Sequence, residues 1–486
     1  MDSDISKKVV TRFAPSPTGF MHVGNVRTAL FSYLFARQNN GTFILRIEDT
    51  DKVREVKEAI DHIKKSLLWL GIEWDHGPEM PAPFGSCIQS QRLDIYRRYA
   101  ESLLKQGNAY VDTYTKDELE IMRNEAVSNN KPFLFREHRP KNLNTDWDPE
   151  KGSTLRFKVN NIKRYRWHDE VRGDLEAGEE MLDDFVLIKS DGYPTYNFAH
   201  IVDDIEMGVT HIMRGDEFIG SMPKFLSLYE ALNVKYPKFV TLPPILNENR
   251  TKKLSKRDGS KDLLNYKTEG YLADAMCNFL ALIGWNPGND EEILSKDQLI
   301  NKFSIRKIQK GGGSFSEEKL KWLNKQHLNL LSDEDYKNYA SSYVPQSVSE
   351  DEELYTRLLP SIRERAHNGA EISGLFNSEG ELNFAIEKPE IDMSTLPWKN
   401  EPSLTITKKR LLKVIDILSE TNFQSIDSIK ESVWSYAESE GKGEVLWPMR
   451  VSLTGRERSV DPFTASWIIG KTQTLARLKY ICDKIK

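Results

Sequence analysis

Cysteine is scarce in this chain: Cys87, Cys277 and Cys482 are the only three in 486 residues. They lie far apart, are odd in number and form no Cys-x-x-Cys pair, which supports neither a disulfide framework nor a zinc site and makes reduced thiols the simplest reading. Long apolar runs are missing too, and without about 18 consecutive apolar residues no helix is encoded that could span a bilayer. The opening Met1-Asp2-Ser3-Asp4-Ile5-Ser6-Lys7-Lys8 has no apolar segment for a signal peptide, and its two acids argue against a transit peptide. These absences place the protein in the cytoplasm. Neither sign of charge dominates, since 68 Lys+Arg against 73 Asp+Glu leave a net charge of -5. That excludes a uniformly basic nucleic-acid coat but not local basic faces. Internal repeats and low-complexity tracts are absent.

What is present is enough chain for roughly three units at about 150 residues each, some of them discontinuous. Near the start, Val9-Val10-Thr11-Arg12-Phe13 has the β-branched and aromatic content of a buried strand, and Pro15, Pro17 and Gly19 stop it in an open turn. Val26, Ala29, Leu30, Tyr33 and Leu34 then recur at helical spacing up to Asn39-Asn40-Gly41, a helix stop. His22 and Asn25 therefore fall at a helix N-terminus. Unpaired backbone N–H groups and the positive end of the helix dipole attract phosphate oxygens there, and both side chains add donors. The same arrangement occurs in α/β proteins that bind nothing, so this loop alone is only suggestive.

Strand and helix go on alternating. Thr42 to Glu48 reads as a second buried strand, followed by a helix marked by Val56, Ile60, Ile63, Leu67 and Leu70. Glu48, Asp49 and Asp51 fall where that strand becomes loop, the place where open parallel sheets bind ligands. Thr50 and Asp51 read as caps of the following helix. A helix over Leu93 to Lys105 comes next, then one opened by a Thr115/Glu118 capping box. Between about Ser128 and Asp184 the pattern turns short, charged and turn-rich, with a strand near Thr154 to Val159, as an inserted subdomain would. The α/β pattern resumes at Phe185 to Lys189, turns at Asp191-Gly192 into Pro194 to Phe198, and continues with a strand at His211 to Arg214 and a helix carrying Phe225, Leu228 and Leu232. Beyond about Tyr271 strands disappear, and helices are expected at Ala273 to Ile283, Glu317 to Gln326, Lys408 to Ser419 and Phe463 to Ile469. Ser316 reads as an N-cap, as does Asp461 ahead of Pro462.

A second polar loop, Thr251-Lys252-Lys253-Leu254-Ser255-Lys256-Arg257-Asp258-Gly259, would be an ordinary solvated charge run by itself. Paired with His22-Val23-Gly24-Asn25, it resembles the two ATP signatures of class I aminoacyl-tRNA synthetases. Thr11 to Gly19, Arg46 to Asp51, Lys189 to Tyr196 and Trp447 to Gly455 are similar, in that order, to the bacterial type of glutamyl-tRNA synthetase. So many separated motifs in one order make coincidence negligible.

The resemblance implies a multidomain α/β chain: a Rossmann-type class I synthetase catalytic domain with an inserted α+β acceptor-binding subdomain, followed by an all-α anticodon-binding region. The expected boundaries are 1–112 and 185–260 for the halves of the catalytic domain, 113–184 for the insertion, 261–325 for a stem-contact helical region and 326–486 for the anticodon-binding region. It implies ATP with Mg2+ as a substrate complex, no zinc and no other metal site, and L-glutamate and tRNA(Glu) as partners of a monomer that binds no membrane. By resemblance, His22, Asn25, Lys253 and Lys256 are catalytic. Pro15, His22, Gly24, Asn25, Leu254, Ser255 and Lys256 hold ATP. Arg12, Ala14, Ser16, Glu48, Tyr196, His200 and Arg214 hold glutamate, with guanidinium forks suited to its carboxylates and Glu48 to its ammonium.

Three departures stand out. Asn25 replaces the last histidine of the usual first signature, and an amide still donates to phosphate. His200 stands where some relatives carry Asn, and a satisfied structural histidine is an equal reading. The insertion lacks the cysteines of zinc-binding relatives. Competing readings are a glutaminyl-tRNA synthetase, a nucleotidyltransferase with the same phosphate loop, and a catalytically silent RNA-binding relative. The helical last third opposes the first, the long C-terminal extension the second, and intact His22, Arg12 and Lys256 the third. Within that last third, Lys408-Lys409-Arg410, Arg450, Arg456 and Arg458 with Trp434, Trp447 and Trp467 are expected to meet an anticodon arm.

Overall fold

The computed structural model describes residues 8–254, 261–399 and 403–485. They form two compact units, one of residues 8–267 with 273–323 and one of 268–272 with 324–485.

The first unit begins with β1 (Val10–Phe13), α1 (Val23–Gln38) and β2 (Thr42–Leu45), and the two strands pair in parallel with Arg12 opposite Ile44. Helix α2 (Ala59–Trp69) and α3 (Leu93–Lys105) precede β3 (Ala109–Asp112) and α4 (Lys116–Ser128), whose N-cap Thr115 and Glu118 form the expected capping box. Three β-rich pieces follow: β4 (Thr154–Phe157), β5 (Tyr165–Asp169) and β6 (Gly173–Ala177). Then come β7 (Phe185–Ile188), α5 (Tyr196–Glu206), β8 (His211–Gly215), α6 (Met222–Ala231), β9 (Lys238–Leu242) and β10 (Ile245–Leu246). β8 and β9 are parallel, whereas β3, β4 and β7 form an antiparallel sheet. After α7 (Leu263–Thr268), α8 (Ala273–Leu282) and α9 (Lys296–Lys302), the short β11 (Gly313–Ser314) pairs with β10, and α10 (Glu317–Leu330) follows.

The second unit is helical, with α11 (Asp333–Ser341), α12 (Gln346–Ser349), α13 (Glu352–Arg365), α14 (Gly369–Gly374), α15 (Leu404–Glu420), α16 (Ile426–Glu440), α17 (Lys442–Thr454) and α18 (Pro462–Lys484). Its core of Leu358, Leu411, Val433, Met449 and Leu478 excludes water almost completely. Asp461 caps α18 ahead of Pro462, as the sequence predicts. Gly470 breaks the same helix with φ +74, a left-handed conformation that glycine adopts without the Cβ penalty.

Three expectations change. Pro194 to Phe198 is not a strand: Pro194 makes one bridge to Ile188, and Thr195 is already the N-cap of α5, because Phe198, Ile201 and Val202 bury at helical spacing. Thr50 and Asp51 do not cap α2, which starts at Ala59; the Asp51 carboxylate instead accepts from the Arg54 backbone and side chain in a local turn. Strands do not end before Tyr271, since Gly313–Ser314 extends the edge at β10.

Helix α5 positions the site, because two consecutive acids on its buried side tie separate elements together. Asp204 Oδ1 accepts from Arg12 Nε of β1 at 3.0 Å and from Arg46 Nη1, just past β2, at 2.7 Å. Burial pushes the Asp204 carboxyl up, but the Arg12 and Arg46 charges outweigh it and hold it down at about 2. Asp203 accepts from Arg92 Nε, Tyr96 Oη and Gln89 Nε2, each at 2.8 Å. His200, one turn earlier, is buried, donates from Nδ1 to the Tyr196 carbonyl at 2.6 Å and stacks on the Tyr196 ring at 4.6 Å. Burial and the Arg214 charge push its imidazole down to about 3, against an opposing pull from Asp204.

Two outcomes are expected. Asp203→Ala strands the buried Arg92 and should cost about 3–5 kcal/mol in urea unfolding, with Asp203→Asn losing less. His200 is neutral in the fold where the unfolded chain binds a proton below its ordinary value of 6.5. Stability should therefore fall as pH drops from 6.5 towards 3, by about 2–3 kcal/mol at about pH 4.5. Urea midpoints for His200→Asn should lose this part of the acid sensitivity, and an unchanged pH slope would contradict it.

Candidate active site

Pro15 and Pro17 have no N–H to offer a sheet, so the chain leaves β1 as a loop held from outside. Glu48 N–H donates to the Pro15 carbonyl at 3.0 Å and Val56 N–H to that of Pro17 at 2.8 Å. The loop delivers His22 to the N-cap of α1, where its Nδ1 accepts from Gly24 N–H at 3.2 Å. A Cβ on residue 24 would come within 3.1 Å of the His22 ring, so glycine there lets the imidazole fold over the helix end. No acidic residue occupies the first turn of α1, so no carboxylate of its own helix competes for the N-terminus.

Two adjoining cavities open at this point. One, of about 220 Å³, is lined by Arg12, Ala14, Pro15, Ser16, Asn25, Thr28, Glu48, Tyr196, Arg214, Glu217 and Phe218. The other, of about 270 Å³, is lined by His22, Gly24, Asn25, Arg27, Thr28, Glu217, Lys253 and Leu254. Asn25, Thr28, Gly215 and Glu217 belong to both walls. The residues assigned by resemblance to glutamate thus gather in the first cavity, apart from His200, which lines neither and supports Tyr196 from behind. Those assigned to ATP gather in the second, except that Pro15 lines the first, while Ser255 and Lys256 lie outside the described residues. Lys253 Nζ pairs with Glu217 at 3.2 Å, and Leu254 N–H is tied to the Ile245 carbonyl at 2.8 Å.

The electrostatics of the first cavity are unequal. Arg214 is buried among the rings of Phe218, Phe225 and Phe239, with its guanidinium carbon 4.9–5.4 Å from their centroids. Its Nη2 contacts Met222 Sδ at 2.6 Å, and its buried Nη1 has no hydrogen-bond partner. A desolvated guanidinium lacking an acceptor is costly, and an incoming carboxylate supplies one. Burial lowers the Arg214 pKa from its ordinary value. Across the cavity Glu48 accepts from Arg46 Nη2 at 3.0 Å; its pKa is raised by burial, with Arg46 and Arg12 pulling the other way. The arrangement can hold a small zwitterion by both ends against a neighbouring polyanion.

Sequence reasoning missed Asp203, Asp204, Arg92, Arg27, Glu217 and Phe218. The adjacent acids gave a signal, since Asp203-Asp204 directly follow the apolar Ile201-Val202 on one helix. Arg27 gave none: it reaches from α1 to the carbonyls of Pro243 and Ile283, partners distant in sequence.

In the second unit a cavity of about 580 Å³ is walled by Trp398, Trp434, Trp447 and Phe463, with Lys430 and Arg450 among its cations. Of the residues expected to face an anticodon arm, Trp434, Trp447 and Arg450 meet here. Trp467 instead lies under Arg357 at 4.9 Å, Lys408 donates to the Ile485 carbonyl, Arg410 pairs with Glu440, and Arg456 donates to the Ser378 carbonyl.

Residues 8–322 match the family model described as "tRNA synthetases class I (E and Q), catalytic domain", and residues 323–482 match an anticodon binding domain. A glutamate–tRNA ligase of Clostridium tetani is 38% identical over 491 residues, covering 99% of this chain and 98% of that one. One from Clostridium botulinum is 36% identical at 99% of both chains. The crystal structure of a glutamate tRNA ligase from Elizabethkingia meningosepticum, in complex with its amino acid, superposes with a TM-score of 0.86 at 34% identity, covering 99% of this chain and all of that one. With both family models in tandem and relatives matched end to end, the chain belongs to the class I tRNA synthetases of the glutamate and glutamine branch, among the glutamate–tRNA ligases.

Proposed function

We propose that this protein carries out the ATP-dependent attachment of L-glutamate to tRNA in two steps, of which the first consumes the ATP. A glutamate carboxylate oxygen attacks the ATP α-phosphorus, and the bond to the bridging oxygen breaks to release pyrophosphate. A terminal ribose hydroxyl of the tRNA then attacks the acyl carbon, and AMP leaves as the hydroxyl gives up its proton. The observation that carries the reading is the shared wall of the two cavities. A site lined by Arg12, Arg214 and Glu48 adjoins one lined by the α1 N-terminus, His22 and Lys253. No protein nucleophile is needed, so holding reactants in line and stabilising phosphate charge does the chemistry.

In this reading Arg12 and Arg214 take the carboxylates and Glu48 the ammonium, while Ala14, Ser16 and Tyr196 complete the pocket and His200 buttresses Tyr196. Pro15, Gly24, Asn25, Leu254 and Ser255 cradle ATP, which brings its magnesium on the phosphates. His22, Lys253 and Lys256 stabilise the phosphates as charge redistributes. ATP phosphates would draw Lys253 from Glu217. The catalytic domain comprises residues 1–112 and 185–260, with 113–184 on the acceptor stem, 261–325 as a stem-contact region and 326–486 on the anticodon arm of tRNA(Glu). The aromatic and basic cavity of the helical unit suits stacked bases and phosphates. The enzyme acts as a monomer in the cytoplasm, where its three buried unpaired thiols stay reduced. A glutaminyl enzyme is not favoured, given full-length likeness to glutamate–tRNA ligases.

The purified chain should charge tRNA(Glu) with glutamate and not with glutamine; the reverse preference would refute the assignment. Arg214→Ala should raise KM for glutamate by about a hundredfold with KM for ATP changed less than about threefold. Arg214 is the cleaner probe than Arg12, whose removal would also strip a partner from Asp204. Arg450→Ala should raise KM for tRNA by about tenfold or more and leave KM for glutamate unaltered, as steady-state charging would show.

A further inference from the structure

Helix α2 contributes nothing to the cavity walls, yet its His62 touches both chain segments that adjoin the ATP signatures. Met21, the residue before His22, donates its backbone N–H to His62 Nδ1 at 3.3 Å. That donor requires a lone pair on Nδ1, which puts the ring proton on Nε2. Nε2 then donates to Asp262 Oδ1 at 2.8 Å. Asp262 lies five residues beyond Arg257, the end of the second signature. The neighbouring Leu263 N–H closes the circuit by donating to the Met21 carbonyl at 3.3 Å. Both backbone groups of Met21 are thus held, one by His62 and one by the start of α7.

The ring has further restraints. Phe20 stacks on it at 4.5 Å with planes 22° apart, and Ser66 Oγ lies 3.4 Å from Nδ1. Asp262 Oδ1 also accepts Leu264 N–H at 2.9 Å, so the carboxylate is fixed from its own side. The imidazole is mostly shielded, with 11% of its side chain exposed. A histidine serving only to fill space would not need both nitrogens matched to opposite partners, one donor and one acceptor.

We infer that His62 is a positioning residue for adenylate formation, fixing Met21 and hence the His22 N-cap of α1 relative to the chain that leaves the second signature. It touches no reacting atom. The inference rests on the reading of the cavity beside His22 as the ATP site. Because Arg12, Glu48 and Arg214 sit on other elements, displacing Met21 degrades the geometry at the phosphates and leaves glutamate binding alone. A shift of about 1 Å in such a frame is worth up to about a hundredfold in rate.

The test uses the full chain with ATP, magnesium, glutamate and tRNA, following adenylate formation and thermal unfolding together. His62→Ala should lower kcat by about tenfold or more, with KM for glutamate within about twofold and the unfolding midpoint little moved. His62→Asn places an amide oxygen where Nδ1 faced Met21 and should recover most of the loss. Asp262→Ala added to His62→Ala should cost little more, because both break one circuit. An unchanged kcat in His62→Ala, a loss confined to KM for glutamate, or a loss that follows the midpoint and is not recovered by Asn would each overturn the role. Unchanged KM for ATP in both Asn25→Ala and Lys253→Ala would instead show that ATP binds elsewhere, and would remove the basis for the role whatever His62 does.

Discussion

The buried carboxylate of Asp204 is the constraint on which the cavity lined by Arg12, Glu48 and Arg214 depends. It is shielded from water and shared between Arg12 and Arg46, so three separate pieces of chain must arrive together or leave an uncompensated charge in the interior. Asp203 does the same one residue earlier for Arg92, Tyr96 and Gln89. A network of this kind adds little net stability over apolar packing, but breaking any single member is expensive, and that asymmetry fixes geometry.

The charge count around that network bears on the substrate proposed for it. Arg12, Arg46, Arg92 and Arg214 face Glu48, Asp203 and Asp204, four cations against three anions, and all seven are buried. The surplus lies with Arg214, whose neighbours are aromatic rings and a thioether rather than a carboxylate. In the proposed reading, a substrate bringing two carboxylates and one ammonium is a net anion and would complete the set. Across the shared wall, in the proposed reading, a polyphosphate would meet the N-terminus of α1 and Lys253, whose present partner is Glu217.

Much of this was legible in the sequence because the decisive signals are local. A strand cut by Pro15, Pro17 and Gly19 and a His-x-Gly-Asn at a helix start each declare themselves within a few residues. Helix ends were readable for the same reason: Thr115 with Glu118, and Asp461 before Pro462, satisfy orphan N–H groups by short-range chemistry. Local reading failed where a local pattern was outvoted. Asp191-Gly192 looks like a hairpin turn, but Thr195 stands at the N-cap position of a helix whose apolar residues face the core. Thr50 and Asp51 look like caps, yet the helix begins only at Ala59.

By itself the sequence determined the α/β character of the first part, the helical character of the last and the likeness to the glutamate branch of the class I synthetases. Each is written in spacing or side-chain chemistry that survives without knowing which distant residue lies opposite. Only the tertiary structure decided that Asp203 and Asp204 hold the arginines of other elements, that Arg214 is left with an open nitrogen, that His200 is a neutral prop for Tyr196, and that His62 joins Met21 to Asp262. Those facts are pairings between residues as many as 200 positions apart, and a buried charge or imidazole takes its protonation and its role from the partner the fold brings to it.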